Sequence, residues 1–248
     1  MPGAAATVGS AHVCPMLNPG TPPPPHVGGP VSGPGVPTVL IGGSVAAVMG
    51  DMCVCMGPPD VIAQGEATVL IGGKAAATVG SMTAHGGLIT SGVPTVLIGT
   101  GGSGATAVMA VNKIPFPKIN FALKTMASIS GRGSQLNEAA ANQQALREAA
   151  ESTEGEPKIY GVKWIVGDQI IRSSKVFNEV TIQASVLNIP DGESITFSVK
   201  RPNNTTDENG TETESEEDVI QLTGTVQDKM VKVNWEVEKK QEESDQNS

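Results

Sequence analysis

Six side chains in this 248-residue chain have the chemistry of soft or borderline metal ligands: His12, His26 and His85, and Cys14, Cys53 and Cys55. All six fall within the first 85 residues. Three cysteines are an odd number for a disulfide framework, and Cys53 and Cys55 are too close in sequence to bridge comfortably. A catalytic thiolate needs a basic, polarised setting. Residues 1–110 hold only four charged residues, Asp51, Asp60, Glu66 and Lys74, so that setting is missing. Metal ligation is the chemistry that these residue types support.

Their spacing follows an internal repeat. Thr-Val-Leu-Ile-Gly occurs at 38–42, 68–72 and 95–99. Two copies lead through Gly-Gly into small-residue runs, Ser44–Met49 and Lys74–Val79, that end in Gly50-Asp51 and Gly80-Ser81. Ala4–Ser10 looks like the same run without its preceding strand. Cys55 lies five residues beyond Gly50, and His85 five beyond Gly80. His26 precedes its own copy by a similar distance, and His12 and Cys14 lie in the first repeat's version of that turn. Convergence of the repeat tips would bring His26, Cys55 and His85 together. His12 would then complete a three-histidine, one-cysteine tetrahedron of the kind zinc prefers. Cys14, the formal equivalent of Cys55, and the neighbouring Cys53 stay open as replacements for it. Four protein ligands leave no open position for water, so one structural zinc ion is the expectation.

The elements that must position these ligands are unusual. Residues 1–110 contain no Phe, Tyr or Trp, but 22 of the 30 glycines and 13 of the 18 prolines. Val-Leu-Ile bounded by glycines is too short for a helix and reads as a buried strand. Strands without large side chains imply close backbone approach and a slender wound β structure. A net charge of −9 offers nothing to neutralise a run of phosphates, which argues against nucleic acid. No apolar stretch is long enough for a membrane span, and Met1-Pro2-Gly3-Ala4 lacks the basic and apolar regions of a secretory signal.

The runs His26-Val-Gly-Gly-Pro, Gly50-Asp51 … Cys55-Met-Gly-Pro-Pro-Asp60, Gly73-Lys-Ala-Ala-Ala77 and Thr83-Ala-His85-Gly-Gly resemble PAAR-repeat proteins, in a PAAR-like branch with an extended first turn. The resemblance covers about residues 3–100. It departs at the namesake motif, where Ser44-Val-Ala-Ala-Val48 and Lys74-Ala-Ala-Ala-Thr78 replace Pro-Ala-Ala-Arg. It implies a short three-sided cone with zinc near its point, seated on the blunt end of a VgrG-type spike trimer, one copy per trimer. Such a cone sharpens the spike of a contractile injection machine, of type VI secretion or an extracellular system, for transient piercing of a target membrane. It would be assembled in the bacterial cytoplasm and leave on the spike. The resemblance also implies that C-terminal extensions are effectors or recruit them as cargo.

Past residue 100 the composition changes. Residues 101–133 read as a Gly/Ser/Pro linker, and Ser134 as the N-cap of a helix whose thin, Ala/Gln-rich face suits a spacer. From Pro157, alternation at Tyr160-Val162-Trp164, Val180-Ile182-Ala184-Val186, Ile195-Phe197-Val199 and Val231-Val233-Trp235-Val237 predicts half-buried strands. The acidic stretch Asp207–Asp218 reads as a solvated hairpin loop. The expected organisation is all-β: a PAAR-type cone of three pseudo-repeats over 1–100, a linker and helix over 101–156, an immunoglobulin-like sandwich over 157–240 and an acidic tail over 241–248. Residues 111–248 contain no His or Cys and no phosphate loop, so a non-catalytic adaptor is expected. A fused toxin is the alternative.

Overall fold

A strand can run beside another at close range only if nothing bulky stands between them, and the N-terminal half exploits this throughout. The computed structural model describes residues 2–99, 106–166, 169–171, 179–201, 204–206, 212–214 and 218–236. It divides into two compact units, Met1–Glu154 and Gly155–Ser248.

The first unit begins with β1 (Gly3–Ala5), β2 (His12–Val13), β3 (Gly28–Gly33), β4 (Val36–Ile41), β5 (Ser44–Ala46) and β6 (Met52–Cys55). It continues with β7 (Asp60–Val61), β8 (Gln64–Ile71), β9 (Lys74–Ala76), β10 (Leu88–Ile89), β11 (Val93–Ile98) and β12 (Thr106–Val108). One pairing recurs in three places. β4 pairs with β5 through Leu40↔Val45 and Ile41↔Ser44, and β8 pairs with β9 through Leu70↔Ala75 and Ile71↔Lys74. The third instance joins the ends of the sequence: β11 pairs with β1 through Leu97↔Ala4 and Ile98↔Gly3. The opening run therefore has its strand after all, supplied by the last Thr-Val-Leu-Ile-Gly copy.

Backbone hydrogen bonds tie the three places into a closed ring. Ala6 N donates to Ala77 O at 2.9 Å, Ala77 N to Ala47 O at 3.0 Å, and Ala47 N to Ala6 O at 3.1 Å. Beyond the ring each run ends in the same turn. Thr7 N donates to Ser10 Oγ, Val48 N to Asp51 Oδ2 and Thr78 N to Ser81 Oγ, at 2.8 to 3.0 Å. The third residue of each turn is Gly9, Gly50 or Gly80, with φ of +92° to +96° that a side chain would strain. Side chains stack in layers around this frame. One cluster joins Ala5, Ala46 and Ala76 with Ile41, Ile71 and Ile98; the next joins Ala6, Ala47 and Ala77 with Val31, Ile62 and Ile89.

The start of the expected linker, residues 100–105, lies outside the described residues; the rest of it and the expected spacer helix pack onto the first unit. Asn120 accepts a hydrogen bond from Leu123 N at 2.8 Å and caps α1 (Phe121–Ile129), a helix that lies inside the expected linker. α2 (Gly133–Glu151) starts at Gly133 with no side-chain cap, so Ser134 is not its N-cap. Leu136, Ala139, Gln143, Leu146 and Ala150 recur every three or four residues and are buried. They pack onto Met16, Leu17, Ala63, Ala84 and Val108 of the β structure, so both helices belong to the first unit. The thin alanine face, which suggested a spacer, instead lets the helix come close.

The second unit carries β13 (Lys158–Val166), β14 (Gln169–Ile171), β15 (Glu179–Leu187), β16 (Ser194–Arg201), β17 (Asn204–Thr206), β18 (Glu212–Glu214), β19 (Asp218–Gln227) and β20 (Met230–Glu236). Its main sheet is antiparallel in the order β14-β13-β15-β20-β19-β16. β19 joins β20 only at Val226↔Val231 and Gln227↔Met230, whereas it pairs with β16 over eight positions. Ile195, Phe197 and Leu222 of that pair share a core with Ala184, Val186, Val231 and Val233. Trp164 and Trp235 stand 6.1 Å apart. The alternation read from sequence is thus realised within one hydrogen-bonded sheet of six strands. β17 pairs with β18 around the acidic stretch, most of which lies outside the described residues, as do Val237 and the tail.

The alanine ring makes a sharp prediction. Ala47→Leu puts a large side chain where the side chain is 1% exposed and three backbones meet. It should lower unfolding stability by about 1–3 kcal/mol, read as a shift of the denaturant midpoint at unchanged slope.

Candidate metal centre

The metal-capable residues converge beside the layered alanines. Cys14 follows β2, and His26 lies two residues before β3, at the end of the Pro-rich turn. Cys55 ends β6, and His85 sits in the turn that follows Thr83. One ligand atom from each of Cys14, His26, Cys55 and His85 lies within 4.8 Å of all the others. Cys55 Sγ is 3.2 Å from His26 Nδ1, and Cys14 Sγ is 3.6 Å from both His26 Nδ1 and His85 Nδ1. A zinc tetrahedron built from bonds of about 2.3 Å to sulfur and 2.0 Å to nitrogen has sulfur–nitrogen edges of roughly 3.5 Å. Three sulfur–nitrogen pairs already stand near that separation and all four donors lie within 4.8 Å of one another, so the residues fit the ion.

Hydrogen bonds outside the cluster orient the donors. His26 Nε2 is 3.0 Å from Asn18 Oδ1; donation there leaves Nδ1 with its lone pair toward the thiols. Asn18 is itself anchored, donating through Nδ2 to Met56 O at 2.9 Å. Asp60 is fully buried and accepts from Thr83 Oγ1 at 2.6 Å and from His85 N at 2.9 Å, which holds the His85 turn against the site. Its Oδ2 also stands 3.8 Å from His85 Nδ1. No catalytic or ligand role had been read for Asp60 in the sequence. Its signal there is that it is one of four charges in an apolar stretch and closes the Cys55-Met-Gly-Pro-Pro-Asp60 run.

The electrostatics follow from the crowding. Hydrogen bonding to Cys14, His26 and His85, with the His12 ring close by, holds the Cys55 thiol far below its ordinary range, against the opposing effect of burial. Cys14 is pushed up, by its hydrogen bond to the Cys55 sulfur and by burial. Cys53 is pushed up to about 12 by burial, with Asp60 and Asp51 adding to it. It is fully buried in the layer of Ala6, Ala47 and Ala77, a place for a small apolar side chain.

Of the four residues expected as ligands, His26, Cys55 and His85 are brought together, and the thiol beside them is that of Cys14. His12 sits against the same cluster. Its Nδ1 is 2.8 Å from Gly29 O, which directs Nε2 inward, and that buried atom has no hydrogen-bond partner among the described residues. Asp60 Oδ2 is 3.5 Å away. Burial opposes a charge on His12, but Asp60, Cys55 and the Gly29 carbonyl raise its pKa to about 9. His12 and Cys14 are two residues apart on the strand side opposite exposed Val13, so both face inward. Sequence parity does not separate them; the folded cluster, which takes in the Cys14 thiol, does.

Two predictions follow from this geometry. Asp60→Ala removes the partner of Thr83 and of the His85 amide, and should weaken metal binding about 10- to 100-fold in a chelator competition. In a cobalt-loaded sample, two thiolates give a sulfur-to-metal charge-transfer band that Cys14→Ser roughly halves, whereas His12→Gln leaves its intensity intact. A charge-transfer band unchanged by Cys14→Ser, with d–d bands shifted by His12→Gln, would make His12 the fourth ligand.

Comparison with known families bears on this region. Residues 20–91 match the family model described as PAAR motif. No curated protein and no solved structure matches the chain. The matched residues include His26, Cys55, Asp60 and His85, and stop short of His12 and Cys14. Over residues 20–91, therefore, the chain carries a PAAR motif, the family that its histidine, cysteine and glycine pattern resembles.

Proposed function

We propose that this chain caps the trimeric spike of a contractile injection machine, one copy per trimer, with a structural zinc ion holding its tip. The PAAR motif implies association with such a spike. The observation that carries the reading is the closed frame: three equivalent strand pairings, one ring of backbone hydrogen bonds and one metal-type cluster within a single chain. Three pseudo-repeats in one chain present three similar sides to a threefold platform, so one copy satisfies three subunits of a VgrG-type spike. Zinc on Cys14, His26, Cys55 and His85 would cross-link four separate segments and add no reactive position. Binding free energy of this kind is folding free energy where there is no large apolar core.

The C-terminal unit, read as immunoglobulin-like, is proposed as a non-catalytic adaptor for cargo or effector. Its support is compositional, since residues 111–248 contain neither His nor Cys. Assembly is proposed in the bacterial cytoplasm, with export on the spike.

Purified protein should contain one zinc per chain by elemental analysis, and acidification should release it as the histidines and thiols take up protons. Mixed with its spike, it should elute as one chain per trimer and be monomeric alone. A stable homotrimer, or a folded metal-free protein, would overturn the assignment. Residues 155–248 expressed in a bacterial cytoplasm and periplasm should leave growth unchanged; arrest would favour a toxin.

A further inference from the structure

The two helices make contacts that a spacer has no need of. Asn142 Nδ2 of α2 donates to Gly86 O at 2.7 Å, one residue beyond His85. At Gly86 itself a Cβ would meet Ala139 O at 2.6 Å, so the helix backbone rests directly on the backbone that carries a ligand. Gln143, 3% exposed, donates through Nε2 to Met16 Sδ at 3.5 Å, two residues beyond Cys14. The Arg132 guanidinium, between the helices, donates to Pro23 O, three residues before His26. Cys14 and Cys55 pack in one cluster with Leu123 and Ala127 of α1 and Leu136 and Ala139 of α2.

We infer that the α1–α2 hairpin is the outer wall of the metal centre, with Ala139, Asn142 and Gln143 as positioning residues for the ligand turns. The inference rests on the metal reading above. Three of the four ligand segments are gripped within three residues of the ligand, and the fourth is covered by the hairpin's apolar face. His26, His85 and Cys14 are at most 6% exposed. Metal exchange requires a ligand to swing out or water to enter, and both are opposed by a helix seated on the His85 turn. Outer contacts of this type usually change metal affinity or exchange by 10- to 100-fold. The amide of Gln143, which interrupts an otherwise apolar stripe, finds its partner in Met16 Sδ, two residues beyond Cys14.

The test uses the full-length zinc-loaded chain. Zinc transfer to excess EDTA is followed with a colorimetric indicator, and thiol exposure with an aromatic disulfide. Ala139→Glu, which wedges the helix off Gly86, should release zinc at least tenfold faster, with Cys14 and Cys55 reacting on the same time course. Asn142→Ala removes one hydrogen bond without adding bulk and should accelerate release severalfold; it keeps the test alive if the first variant fails to fold. It should also shift the d–d bands of cobalt-loaded protein, which a purely structural helix would leave in place. Glu138→Ala, on the exposed face, should match the parent. Zinc that is bound but released at the parent rate from both variants, with the hairpin cleaved by trypsin after Lys124 or Arg132, overturns the inference and leaves the metal reading standing. A parent chain that binds no zinc overturns both.

Discussion

The rest of the first unit depends on the backbone ring Ala6–Ala77–Ala47. Three strands can exchange hydrogen bonds at 2.9 to 3.1 Å around one axis only if the side chains that face that axis are no larger than a methyl group. Every nearby feature follows from this limit: alanines in successive layers, glycine-bearing turns beyond them and the absence of aromatics. The limit also sets a cost. Methyl groups at the axis bury little apolar area, which leaves that burial to the Ile and Val side chains of the surrounding layers. One source that makes up the difference is dense backbone hydrogen bonding within the ring; the proposed zinc on the cysteine–histidine cluster would add a cross-link between four segments.

Closure gives the frame its second property. β1 takes β11 as partner, so the first and last parts of the β structure meet, and the repeat that lacks a strand receives one from the far end. An open stack would leave Ala4 and Leu97 at unpaired edges. With the circle closed, the ligand-bearing turns all lie on the same side of the ring, and that is the geometry a single ion needs. The helical hairpin then covers this side, and its alanines match the small-residue frame beneath: a face of leucines would stand off from Gly86 by several ångströms.

Charge is used sparingly in this unit, and where it occurs it organises the site. Asp51 holds a turn by accepting from Val48 N and Gly35 N, and Asp60 holds the His85 turn. Both are fully buried. A buried carboxylate is expensive unless several donors surround it, and each of these has them. Asp60 is also the nearest acid to His12, which links the orphaned imidazole nitrogen to the ligand set through one residue.

Much of this was legible in the residues themselves. The Thr-Val-Leu-Ile-Gly spacing located the strands, because a three-residue apolar run between glycines has no other stable form. The equal offsets of Cys55 and His85 located two ligands, because equivalent positions in a repeat point the same way. His26 followed from the same logic, and strand alternation located the β content after Pro157. Tertiary structure decided the rest. Whether His12 or Cys14 brings its donor atom beside the other three is set by the folded site, which takes Cys14, and a periodicity of two treats both as inward. The docking of α1 and α2 was hidden because an alanine face reads as weak hydrophobicity. Its strength lies in how closely it allows two backbones to approach, and that quantity exists only once the partner surface, Gly86 and its neighbours, has been folded into place.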